Sequence, residues 1–196
     1  MIKILKQAAI TAVAALTAMV SLNAAADTLN FSELTQDTVL ATPAVLSNAT
    51  ITSSSGSIYI ESTLSTNGFG GLCGAMGVTC QADLDIQFNS TIENLSFAID
   101  GYDEGDSVTV MGYLGGTVVN TMTLFDAASL DISSWGQMDR LFLDYEGTIP
   151  GLDAYGYGFS DFDFTTVTAV PLPAALPLFG AALMGLGYLS RRRKQQ

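Results

Sequence analysis

Hydrophobic and polar residues alternate with a period of two through the middle of the chain. In "ADLDIQF", Leu84, Ile86 and Phe88 fall on one side and Asp83, Asp85 and Gln87 on the other. "SIYIES" groups Ile58 with Ile60, and "NLSFAI" groups Leu95, Phe97 and Ile99. "SVTVMGYL", "TVVNTMTLF", "SLDIS", "DRLFLDY" and "SDFDFTTVT" follow the same pattern. Strict alternation marks strands with one buried and one wet face. Turn chemistry separates them. "GYDEGDS" and "LGGT" lie between strands, and Gly115-Gly116 suits a two-residue hairpin. "SWGQ" and "EGTIPGLDAYGYG" read as longer loops. Short strands with glycine-rich turns predict an all-β domain over 27–169, an antiparallel β-sandwich or jelly roll.

The two ends break this pattern. Lys3 and Lys6 precede an apolar run from Ala8 to about Leu22, and Ala24-Ala25-Ala26 supplies small residues for a cleavage site. This order predicts a secretory signal peptide over 1–26. At the other end, Val170 to Leu189 is uncharged over twenty residues. That is just enough to span a bilayer, which takes about 20 residues. Pro171, Pro173 and Pro177 discourage helix at its start, so the transmembrane helix is expected at about 176–189. Arg191, Arg192, Arg193 and Lys194 follow as a basic stop that stays on the cytoplasmic side.

Charge sharpens the division. Six of the seven basic residues lie at the ends, and all nineteen acidic residues lie between Asp27 and Asp163, with Arg140 as their one cation. Such a field repels phosphate backbones and excludes nucleic acid as a partner. The chain contains no histidine. Triad and Cys-His chemistry are therefore excluded. A carboxylate-only glycoside hydrolase survives that filter, provided two carboxyls stand about 5–9.5 Å apart across a cleft.

The C-terminal 27 residues resemble the PEP-CTERM sorting signals of Gram-negative bacteria, in the VPLPA-CTERM variant. Val170, Pro171, Leu172, Pro173 and Ala174 match its motif, with Leu172 where the namesake has glutamate. Gly180, Gly185, Gly187 and the arginine cluster match its other two parts. The resemblance implies recognition by an exosortase, a membrane-embedded processing enzyme. It implies a transient inner-membrane anchor with the domain outside the cytoplasm, then delivery to the cell surface or the biofilm matrix. "NFSELT", "NLSFAIDGYDEGDSVTVMGYLGG" and "FSDFDFTTV" look like the exported sandwich domains of such proteins, which resemble carbohydrate-binding jelly rolls.

Cys73 and Cys80 bracket "CGAMGVTC". In an exported chain they are expected to form a disulfide, since a lone pair without histidine is a poor zinc site. No cofactor is required by anything in the sequence. Structural calcium is the one cation with candidate ligands, because acidic glycine-rich loops supply its oxygens. One set is Asp100, Asp103 and Asp106, for which a solvated turn is the competing reading. The other is Glu33, Asp161 and Asp163. The jelly-roll resemblance implies a shared ion between first and last strands there, and simple alternation explains the aspartates equally well. Tyr102, Tyr113, Trp135, Tyr145, Tyr155 and Tyr157 form an aromatic group. Trp135, Tyr155 and Tyr157 sit in predicted loops, where they can stack on sugar rings; for Trp135 a core position is the competing reading.

The expected function is therefore a non-enzymatic, surface-anchored or exosortase-processed matrix component that associates with polysaccharide. The alternative is a carbohydrate-binding, lectin-like module. The third reading is the carboxylate-only hydrolase.

Overall fold

A computed structural model of the protein describes residues 26–63, 68, 70–76, 79–100, 106–126, 128–147 and 156–167, with the Asp106 side chain left aside. All of them lie in one compact unit, Ala24–Thr168. Residues 1–25 of the expected 1–26 signal peptide and the whole 170–196 segment lie outside the described residues.

The described chain is antiparallel β-structure with two short 3₁₀ turns. In order the strands are β1 (Ala26–Thr28), β2 (Thr38–Ala41), β3 (Ala44–Val45), β4 (Ala49–Ser53), β5 (Ser57–Glu61), β6 (Gly71–Met76) and β7 (Thr79–Ala82). They continue as β8 (Leu84–Asp100), β9 (Asp106–Leu114), β10 (Thr117–Leu124), β11 (Ala128–Asp131), β12 (Met138–Gly147) and β13 (Gly158–Thr166). The turns are Phe31–Glu33 and Ser133–Trp135.

β8 organises the fold. The segments "ADLDIQF" and "NLSFAI", separate strands in the sequence reading, are one 17-residue strand. No glycine or proline interrupts Leu84–Asp100, so nothing local ends it. Its first part pairs with β4 (Ile51↔Ile86) and with β12 (Leu141↔Ile86). Its second part pairs with β11 (Leu130↔Phe97) and with β13 (Phe159↔Ile99). One half-sheet therefore runs β10-β9-β12-β8-β4-β3, and the other runs β11-β8-β13-β6-β5-β2. Leu84, Ile86 and Val110 from the first half share a core with Phe97, Ile99, Ile58 and Phe162 from the second. The arrangement is sandwich-like, with alternate residues of both halves packed inward.

Two residues in left-handed conformation keep the alternation pointed at that core. Along β8 the buried positions are 84, 86, 88 and 92, then 95, 97 and 99. The parity changes at Asn94, whose φ is 56°. In β13 it changes between Phe159 and Phe162, at Asp161 with φ 52°, where the register against β8 shifts. Asn and Asp are the residues that tolerate this backbone region best after glycine. The Gly115-Gly116 hairpin forms as its sequence predicts, with φ of 57° and 80° and Leu114 opposite Thr117. Positive φ at both central residues is what a type I′ turn requires.

Cys73 and Cys80 are joined as expected, linking β6 to β7. Two close approaches surround them. A Cβ on Gly74 would overlap the Ala82 carbonyl oxygen, and one on Gly156 would overlap that of Cys80.

Candidate functional site

The outer face of the first half-sheet carries the most differentiated chemistry among the described residues. Leu141 and Leu143 of β12 point inward, so Arg140, Phe142 and Asp144 point outward. By the same alternation β9 presents Thr109, Met111 and Tyr113, and β8 presents Asp85 and Gln87. Register brings them together. Arg140 stands between Tyr113 and Gln87, and Phe142 stands between Met111 and Asp85.

Arg140 reaches diagonally to Asp85. Nε and Nη2 each donate a 2.7 Å hydrogen bond to separate carboxylate oxygens. The bonding to Asp85 raises the guanidinium pKa further above its ordinary value, so the cation is permanent. Its carbon lies 4.7 Å from the Tyr113 ring centroid and 5.8 Å from that of Phe142. The planar fork suits both roles, carboxylate clamp and aromatic stack. Next to it the Gln87 side-chain amide donates to the Asp139 carbonyl at 2.7 Å. Asp139 in turn accepts from the Gly115 N–H at 2.8 Å, tying the hairpin turn to β12. Thr50 and Thr52 of β4 lie opposite Gln87 and Asp85 and extend the face with hydroxyls.

The result is a flat slab of tyrosine, arginine and phenylalanine, bordered by a carboxylate, an amide and hydroxyls. Its apolar surface can take the C–H face of a ring, and its border can exchange hydrogen bonds with ring substituents. At one end of the face Asp144 has its carboxyl pushed above the ordinary aspartate range, by partial burial first and then by Asp83 and Glu146. Asp83 accepts from the Tyr145 N–H at 3.1 Å.

The sequence-based sites fare differently. Glu33 sits in the 3₁₀ turn, where Ser47 uses both of its oxygens: the N–H at 2.8 Å and the hydroxyl at 2.9 Å. β1 and β13 do lie side by side, with Thr28 opposite Asp163. Asp161 has a backbone role as the left-handed residue of β13, and Asp163 is exposed between buried Phe162 and Phe164. Asp100 accepts from the Ser160 hydroxyl at 3.2 Å. Asp103 and the Asp106 side chain lie outside the described residues. Among the described residues, no three Asp, Glu or Cys side chains gather as a metal-ligand set.

One member of the aromatic trio, Tyr157, is corrected. Tyr157 is 1% exposed and packs edge-on against Tyr145, so it faces the core and not a ligand. Its neighbour Phe159 begins an inward run that the glycine-rich loop signal concealed. Trp135 is half-buried against the core, and a Cβ on Gly112 would lie 3.0 Å from its indole. Gly112 alternates with Tyr113, so the tryptophan lies on the opposite side of β9 from the slab. Asp131 fixes the turn that carries it, accepting from the Ser133 N–H at 2.9 Å. That backbone bond, and then the Ser133 hydroxyl, lower the Asp131 pKa. Tyr155, Val170, Pro171, Leu172, Pro173, Ala174, Arg191, Arg192, Arg193 and Lys194 lie outside the described residues.

Sequence reading passed over Arg140, Asp85 and Phe142 as site residues. The signal was present: one cation among nineteen carboxylates, on a strand whose alternation turns it outward. No protein-family model matches the chain, and no curated protein matches it either.

Proposed function

We propose that the chain is an exported, non-enzymatic component of an extracellular polysaccharide matrix, whose jelly-roll-like domain contacts glycan through the Tyr113–Arg140–Phe142 slab. The observation that carries this reading is the guanidinium held 4.7 Å from Tyr113 by its two bonds to Asp85. A preset cation–aromatic surface binds without first ordering its own side chains. Pairing of β1 with β13 supports the jelly-roll relationship. The Cys73–Cys80 disulfide supports residence in an oxidising compartment.

In this proposal residues 1–26 direct export, and the 170–196 segment holds the protein in the inner membrane until an exosortase processes it. The domain then reaches the cell surface or the matrix. Calcium bridging between its carboxylates and acidic polysaccharide belongs to the same picture.

Affinity electrophoresis through gels of defined soluble polysaccharides tests the binding. Retardation by at least one polysaccharide, lost in Tyr113→Ala and retained in Trp135→Ala, is the expected result. Loss in Trp135→Ala with retention in Tyr113→Ala transfers the site to the loop face. Equal mobility in every gel removes the polysaccharide reading. Intact mass of the protein from its host tests both terminal cleavages in one measurement.

A further inference from the structure

The strand at the end of the first half-sheet differs from every other edge. β10 pairs with β9 on one side, and no described strand pairs with its other side. It is eight residues long. The other peripheral strands are short: β1 has three residues, β2 four, β3 two, β7 four and β11 four. Short edges offer few free N–H and C=O groups to another chain, which is how sheet proteins protect themselves. β10 lacks that protection.

It also lacks the usual side-chain guards. Ser107 to Phe125 contains no charged residue and no proline. Lysine and proline are what normally block an edge. Val118 is 49% exposed, Val119 41% and Phe125 64%. On the inner face Met122 and Leu124 are only half-covered, although they pack against the core. The apolar layer thus continues up to an edge where the sheet stops.

We propose that β10 is a homodimer interface, in which β10 strands of two copies pair antiparallel across a two-fold axis and make one continuous sheet. Charge leaves this edge open to a second copy. The chain carries nineteen acidic residues against seven basic ones, so two copies repel over most of their surfaces. The uncharged hairpin is where that repulsion is least. An antiparallel strand is also its own complement, because the two-fold exchanges identical donors and acceptors. Thr121 and Thr123 lie on the outer face of β10, opposite Met111 and Thr109. Cross-strand threonine pairs form hydrogen bonds in such ladders. The single register shift, between Val118 and Asn120, leaves the Asn120–Leu124 stretch regular for pairing.

The axis of such a pair is perpendicular to the sheet, so both copies turn the same face outward. The pairing stands or falls independently of what that face binds.

Protein-specific light scattering on the full chain in mild detergent measures the association. The expected mass is that of two chains for wild type and for Thr52→Lys, a control on the outer face of β4. Thr121→Lys and Val118→Lys are expected to halve it with unchanged far-UV circular dichroism. A one-chain mass for wild type up to the solubility limit overturns the proposal, as does a two-chain mass that survives both edge lysines. Should the lysine variants misfold, deuterium exchange of wild type decides. Protection of β10 amides that grows with protein concentration upholds the pairing. Protection independent of concentration assigns the edge to a segment of the same chain and overturns it.

Discussion

Arg140 grips Asp85 through two parallel 2.7 Å bonds while its guanidinium lies against Tyr113. Both partners keep about a third of their side-chain surface in water, at 32% and 29%. Solvent therefore screens the pair, and its contribution to stability is small. A double-mutant cycle with Arg140→Met and Asp85→Asn is expected to give a coupling of about 1 kcal/mol in urea unfolding. Binding should respond more strongly. Asp85→Asn frees the guanidinium to swing off the ring, and about a tenfold loss of polysaccharide affinity is expected with the melting temperature nearly unchanged.

Gly156 and Gly74 are fixed by backbone contact. Gly156 has φ of 73°, and its hypothetical Cβ overlaps the Cys80 carbonyl. Gly156→Ala is expected to cost several kcal/mol, since it combines a forbidden conformation with a clash against immovable backbone. Gly56→Ala is the informative comparison: φ is 78° there, but nothing lies within 4 Å. It should cost only the conformational part, about 1 kcal/mol. Chemical denaturation of both variants separates strain from overlap.

Removing the Cys73–Cys80 link by a double alanine substitution is expected to lower stability by about 2–3 kcal/mol. Reductant should then change the unfolding midpoint of wild type and leave that of the variant unmoved.

Asn94→Gly is expected to be neutral or slightly stabilising, because φ of 56° suits glycine at least as well. Asn94→Val should destabilise by at least about 1–2 kcal/mol, as a β-branched residue resists that region. Equal midpoints for the two variants would show that the parity change along β8 does not depend on residue 94.

Asp144 gives the domain a pH signature. Burial, Asp83 and Glu146 raise its native pKa, so the native state holds this proton to higher pH than the unfolded chain does. Stability from this group therefore falls as pH rises from the ordinary aspartate range through the raised native value. Asp144→Asn removes the penalty. Its melting temperature should exceed that of wild type at neutral pH, and the gap should close in acid, once the carboxyl is protonated in both states.

Alternation alone located most of the inward residues. Leu84, Ile86, Phe88, Leu95, Phe97 and Ile99 are all buried. It could not join the two groups into β8, because a period-two pattern that changes parity looks like two strands. Only Asn94 in left-handed conformation lets one strand bury even positions and then odd ones. Tyr157 was misplaced for a related reason. Glycines at 156 and 158 suggest an exposed loop, whereas Gly156 serves a close backbone approach to Cys80. The slab was half legible. Outward placement of Arg140 and Tyr113 follows from their strands, but their adjacency depends on β9–β12 register, which no local signal encodes.

A strand held in common by both layers also sets how the molecule fails. Each layer contains part of β8, so neither can come apart and leave the other whole. Loss of structure is expected to be all-or-none. A protease would find few partly opened intermediates to cut, and a single proline at Ile92, midway along that seam, should dissolve both layers together.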